Sequence, residues 1–154
     1  MELGIVAAHT ARVRRWDIRF LKLAKHVAGW SKDPRTKTGA VITDSQMRVL
    51  SLGFNGLPQG IKDLPERLRN RELKAQLILH CERNAILFAQ RPLKGCTLYT
   101  WPFMSCSVCA VEVVQSGISR HVAPYCDDRP WIDLSTQIFY EAGVELIILE
   151  SIRI

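Results

Sequence analysis

Between residues 11 and 29, apolar groups fall at Val13, Trp16, Phe20, Leu23, Ala24 and Val27, with Arg and Lys filling most of the opposite face. That three-and-four spacing predicts one amphipathic helix, with Gly29 as its stop. The polar stretch Ser31 to Lys37 breaks the pattern as a loop. Runs at 39–43 and 48–52, separated by Asp44-Ser45-Gln46, predict a hairpin. The charged stretch 61–75 predicts a short surface helix. Further on, helical spacing at 82–90 turns Ala85, Ile86 and Ala89 inward, and at 106–116 it turns Cys109, Val113 and Val114 to one side. A last helix is predicted over 131–142, ending at Gly143, and strands over 97–101, 119–123 and 145–149. Strands and helices alternating after a hairpin predict an α/β fold. The expected form is a single domain over residues 1–154, a three-layer α/β/α sandwich with a mixed five-stranded sheet.

The segment Gly53-Phe54-Asn55-Gly56-Leu57-Pro58-Gln59-Gly60 follows a strand and is dense in Gly and Pro. Such a loop lets a ligand approach the backbone closely, so it is read as functional rather than as a plain connector.

At 154 residues, 47% hydrophobic and 23% charged, the chain is long enough for one real core and ordinary in composition. It contains no apolar run near the roughly 18 residues that span a bilayer. Met1 to Thr10 lacks the basic flank and long apolar stretch of a leader, so no signal peptide is expected. Five cysteines are an odd number, and two are wanted as thiolates, which argues for a reducing, cytoplasmic setting. A net charge of +6 suits an anionic ligand. Arg12, Arg14, Arg15 and Arg19 read as the solvated face of the first helix in preference to a nucleic-acid surface.

Chemistry concentrates in His80-Cys81-Glu82 and Cys106-Ser107-Val108-Cys109. One His and two Cys supply three ligands that zinc accepts, and an open fourth position for water is the catalytic pattern. Glu82, two residues from His80, can stand beside that water without binding the metal. Cys106 and Cys109 share a helix face, and the positive end of the helix favours thiolates there. Cys96 and Cys126 are read as buried thiols. His9, His26 and His121 are read as ordinary surface or core histidines.

Four blocks in order carry a resemblance: Ser31-Lys32-Asp33-Pro34 with Thr36-Lys37 and Gly39-Ala40-Val41-Ile42, the loop 53–60, His80-Cys81-Glu82-Arg83-Asn84-Ala85-Ile86, and Cys106-Ser107-Val108-Cys109-Ala110. Together they resemble the cytidine deaminase superfamily, most closely the deoxycytidylate (dCMP) deaminases, over roughly residues 15 to 149. The resemblance implies zinc on His80, Cys106 and Cys109, Glu82 as proton carrier, and hydrolysis of dCMP or a 5-modified dCMP to the uracil nucleotide and ammonia. It implies Asn55 as the contact to the deoxyribose 3′-hydroxyl, since an amide both donates and accepts. Lys37 and Arg35 are candidates for the 5′-phosphate, and Arg129 is a weaker one. It also implies a homo-oligomer, a dimer or hexamer, with dCTP and dTTP among the expected effectors.

The chain departs from the family pattern at Cys81, where Ala is usual, and at Ser105, where Pro is usual. Both adjoin the site and count as candidate substrate-binding positions. Cys81 is read chiefly as a small buried residue. In the family, backbone carbonyls of the loop corresponding to 101–105 contact the exocyclic amine. The alternatives are a deaminase of another base, nucleoside or RNA adenosine, and a non-catalytic zinc or nucleotide-binding module. An intact Glu82 argues against the last, because a structural zinc site needs no non-ligating acid.

Overall fold

The structure, a computed structural model, describes the backbone of residues 11–150 and the side chains from Arg15 onward. The expectations for Met1 to Thr10, for His9 and for the side chains of Arg12 and Arg14 lie outside the described residues. Helix α1 spans Ala11–Ala28, and Gly29 closes it by donating to the His26 carbonyl at 3.1 Å. Strands β1 (Gly39–Thr43) and β2 (Val49–Phe54) form the predicted antiparallel hairpin. Its turn is held by the Asp44 carboxylate, which accepts from the amides of Gln46 and Arg48 at 2.9 Å each.

The stretch expected to be one surface helix is two: α2 (Pro65–Arg69) and α3 (Arg71–Leu77). Asn70 separates them, because its side chain accepts from the Leu73 amide and caps α3. There follow α4 (Cys81–Ala89), β3 (Thr97–Trp101), α5 (Ser107–Gln115), β4 (Arg120–Pro124), α6 (Ile132–Glu141) and β5 (Glu145–Leu149). The five strands lie in the order β2-β1-β3-β4-β5. Strand β1 is antiparallel to β2 and β3, while β3, β4 and β5 are mutually parallel, which makes the sheet mixed as expected.

Both faces of the sheet are covered. Along β1, Ala40 and Ile42 enter one core with Cys81, Ala85, Ala110, Val113 and Phe139, from α4, α5 and α6. Val41 points the other way, into a core with Phe20, Leu21 and Ala24 of α1. This period-two split is what a central strand buried on both sides requires. Close approach of the layers depends on two glycines. A Cβ on Gly39 would lie 2.6 Å from the Ala28 amide nitrogen of α1, and one on Gly53 would lie 2.5 Å from the Ala85 nitrogen of α4. Gly53 is thus part of β2 and serves helix packing. The loop proper begins after Phe54.

A buried polar network ties α1 to the sheet. Asp17, 2% exposed, takes both Arg120 terminal nitrogens at 2.8 Å and the Tyr99 hydroxyl at 2.9 Å. Two-point pairing with a third donor is the geometry that makes a buried carboxylate tolerable.

Candidate active site

The parallel crossovers bring the first turns of α4 and α5 together on one face of the sheet. His80 is the N-cap of α4, and Cys106 is the N-cap of α5, with Cys109 one turn in. The donor atoms of His80, Cys106 and Cys109 all lie within 4.8 Å of one another, and among the described residues no other such group forms. His80 Nδ1 faces both sulfurs, at 3.5 Å from Cys106 Sγ and 3.3 Å from Cys109 Sγ. A tetrahedral zinc with its usual bonds to sulfur and nitrogen sets those edges at about 3.6 Å. The three side chains therefore fit the ion in type and in spacing.

Their electrostatics point the same way. Hydrogen bonding from the Cys109 thiol, then from His80, pulls the Cys106 thiol down to about 4. Cys109, which supplies that hydrogen bond, is pushed up. His80 titrates above its ordinary value, because the Cys106 contact outweighs desolvation. One proton-sharing cluster of two thiols and an imidazole is a donor set that gives up protons to a cation.

Glu82 sits two residues past His80 in the first turn of α4, 6% exposed, with Cys81 Sγ at 3.3 Å from Oε2. The ion pair Arg83–Glu112 at 3.0 Å fastens α4 to α5 just beyond.

The other candidates stand as follows. Asn55 is 5% exposed, and its amide is largely engaged by the protein. Its Oδ1 accepts from the Thr38 amide at 2.9 Å, and its Nδ2 donates to the Thr36 carbonyl at 2.8 Å and to Asp33 Oδ2 at 3.4 Å. One lone pair on Oδ1 remains free of these bonds. Arg35 and Lys37 are exposed, whereas Lys32 is taken up by Asp63 at 2.6 Å. Arg129 lies over the rings of Phe103 and Trp131, at 4.7 and 5.7 Å. Its Nε is 3.3 Å from Asp128 Oδ1, yet without hydrogen-bond geometry. Cys81 and Ser105 are 1% and 0% exposed, and the Ser105 hydroxyl has no hydrogen-bond partner among the described residues. Cys96 is buried as expected. Cys126 is not: it is half-buried in the loop after β4, where its thiol donates to Asp128.

Two residues named in the sequence have partners that the sequence does not show: His121, a core histidine as read, and Asp33 of the first motif. His121, 0% exposed, accepts from the Ser105 amide at its Nε2 and has Nδ1 3.2 Å from the Leu98 carbonyl. Its ring therefore fixes the residue next to Cys106. Asp33, 3% exposed, is the hub of the first-motif loop. It accepts from the Arg35 and Thr36 amides and pairs with Lys74 of α3 at 3.0 Å. Burial resists its ionisation, but these donors outweigh it and hold the carboxyl below its ordinary value.

Three donors on helix N-termini over a mixed sheet, with a buried carboxylate two residues from one of them, form a group that could hold a zinc ion. Residues 14–124 match the cytidine and deoxycytidylate deaminase zinc-binding region, and the chain belongs to that family, with zinc as its cofactor. An uncharacterized deaminase of the luxG 3′ region of Aliivibrio fischeri is 41% identical over 143 residues, covering 87% of this chain and 93% of that protein. Human deoxycytidylate deaminase is 36% identical over 111 residues, covering 68% of this chain and 62% of the human protein. In fold, the chain is similar to the dCMP deaminase of cyanophage S-TIM5, in a crystal structure with dCMP and dUMP. The TM-score is 0.71 at 20% identity, over 92% of this chain and 100% of that one.

Proposed function

We propose that the chain hydrolyses dCMP, or a 5-modified dCMP, to the uracil nucleotide and ammonia, and that residues 1–154 make up one deaminase domain for that purpose. What supports this reading is a buried Glu82 two residues past His80, in a chain whose His80, Cys106 and Cys109 together could hold a metal ion. When bound, zinc activates water for attack on the ring carbon that bears the amine. His80, Cys106 and Cys109 hold the ion. Glu82 accepts a proton from water at a carboxylate oxygen and delivers it to N3 of the cytosine ring; it then takes a second proton, from the hydroxyl newly added at C4, and delivers that one to the amine as the C4–N bond breaks and C4=O forms. One carboxylate serves both steps because each returns it to its starting state.

The remaining contacts extend the reading. Asn55 offers its free Oδ1 lone pair to the 3′-hydroxyl while its other bonds hold it still. Backbone carbonyls of the 101–105 loop, Ser105 included, receive the exocyclic amine. Cys81, buried as it is, lines the wall behind. The exposed Arg35 and Lys37 take the 5′-phosphate, with Arg129 as a third candidate.

We read the protein as a cytoplasmic homo-oligomer. No helix among the described residues is long and apolar enough to cross a membrane. Exposed Leu87, Phe88, Val108 and Val111 on α4 and α5 form an apolar face, and a depression of about 550 Å³ runs from Phe54 and Leu57 to Leu87 and Phe88. A second copy covers such a face without a foreign partner. The effectors dCTP and dTTP belong to the same reading, and adding either to the assay tests it. The deciding experiment is ammonia release from dCMP by wild type and Glu82→Ala. Turnover should fall by at least about 10²–10⁴-fold, the range for positioned proton transfer, with fold and zinc retained. A variant within about threefold of wild type contradicts the assignment.

A further inference from the structure

Glu82 is a carboxylate 6% exposed, and a buried carboxylate needs donors. Among the described residues, the hydrogen bond its side chain receives comes from the thiol of Cys81, Sγ to Oε2 at 3.3 Å. Cys81 is itself fixed. Its side chain is 1% exposed in the core beneath α4. Its carbonyl lies against Gly53, where any larger residue would collide with it. An alanine at position 81 fills most of the same space in the core but donates nothing.

We propose that Cys81 is a positioning residue for Glu82: its S–H holds Oε2, fixes the carboxylate rotamer, and leaves Oε1 to exchange the proton. This rests on Glu82 as the proton carrier. A thiol is a weak donor, but a carboxylate oxygen is a strong acceptor and this one is 6% exposed, which strengthens the bond. Without it, the carboxylate is free to turn away from the one geometry in which proton transfer works.

The test uses zinc-loaded protein and two readouts. The first is turnover of dCMP by Cys81→Ala and Cys81→Ser, with zinc content and Tm checked. Cys81→Ala should lower kcat by about tenfold, the rate equivalent of one orienting hydrogen bond, with little change in KM. Cys81→Ser, which restores a donor, should recover most of the loss. The second readout is the infrared S–H stretch, assigned by its disappearance in Cys81→Ala. In wild type the band should lie at the lowered frequency of a hydrogen-bonded thiol, and Glu82→Ala should move it up. A band unmoved by Glu82→Ala overturns the proposal, as does a Cys81→Ala enzyme with wild-type kcat, or equal losses in the Ala and Ser variants. If Glu82→Ala itself keeps full turnover, the proton-carrier reading fails, and the infrared result still decides the hydrogen bond on its own.

Discussion

His121 Nε2 accepts the backbone hydrogen of Ser105 at 3.1 Å, one residue ahead of Cys106. The opposite ring nitrogen faces the Leu98 carbonyl at 3.2 Å and so carries the proton, which makes the imidazole neutral by construction. A proton on Nε2 would oppose the Ser105 amide and break that bond. The ring lies tilted against Phe139, with centroids 5.1 Å apart and planes at 53°, and its two nitrogens meet the Ser105 amide and the Leu98 carbonyl. Burial pushes its pKa down from 6.5 to about 4.

The sign of the pH effect follows. Between pH 6.5 and about 4 the unfolded chain binds a proton at His121 and the folded one does not, so stability falls as pH is lowered through that window. The full interval corresponds to about 3 kcal/mol, as an order of magnitude. Denaturant titrations of His121→Asn across the window should show a shallower decline than wild type. An unchanged slope would show that this ring does not titrate as its burial requires.

The metal prediction separates the clustered cysteines from the others. Wild type should copurify with zinc on His80, Cys106 and Cys109. Cys109→Ala should lose most of the zinc and much stability, since metal binding and folding are coupled. Cys126→Ala, at a half-buried thiol far along the chain, should keep both. Metal analysis of the purified proteins reads the difference, and full zinc in Cys109→Ala would remove that sulfur from the ligand set.

Asp33 and Lys74 are 3% and 15% exposed as side chains, so their pair is largely shielded from water. Lys74→Ala leaves a buried carboxylate short of a cation. The expected loss is on the order of 2 kcal/mol, below the about 3–5 kcal/mol of a fully buried pair because Lys74 keeps some contact with solvent. Because the folded carboxyl lies below its ordinary value, its contribution is present above the unfolded carboxyl pKa and is lost as pH falls through the folded one. Chemical denaturation at neutral and acid pH should show the variant's deficit shrinking toward the acid end.

Much of this architecture was legible in the residues. The helix periodicity, the hairpin and the alternation that follows it gave the three layers, and the spacing within each zinc motif put the ligands at helix starts. What stayed hidden depended on partners distant in sequence or on backbone geometry. His121 sits in a short strand between Arg120 and Val122 with no motif around it, and only the β3–β4 pairing brings it to Ser105. Gly53 looked like loop because its need is for α4 to lie close, a tertiary demand. Asn55 looked free because Asp33, Thr36 and Thr38 are brought to it by the chain's return. The break at Asn70 did carry a local signal, an N-cap residue, with Pro65 opening the helix before it.

The phosphate is where the chain's chemistry can be decided most sharply. Arg35 and Lys37 are exposed on the loop that Asp33 braces, next to the residues that hold Asn55. That places two cations on a fixed scaffold, and among the described residues neither has an acidic partner of the kind that occupies Lys32. Charge-assisted hydrogen bonds contribute roughly 1.5–3 kcal/mol each, so dCMP should exceed deoxycytidine by at least about tenfold in kcat/KM. Arg35→Ala or Lys37→Ala should narrow that gap by weakening dCMP while sparing deoxycytidine. An equal loss on both substrates would mean the side chain supports the loop and not the phosphate. If Arg129→Ala narrows the gap and the other two do not, the phosphate lies over the Phe103–Trp131 side of the site. Equal wild-type turnover of nucleotide and nucleoside would reassign the enzyme to the nucleoside or free base, with Arg35 and Lys37 left as ordinary surface charge.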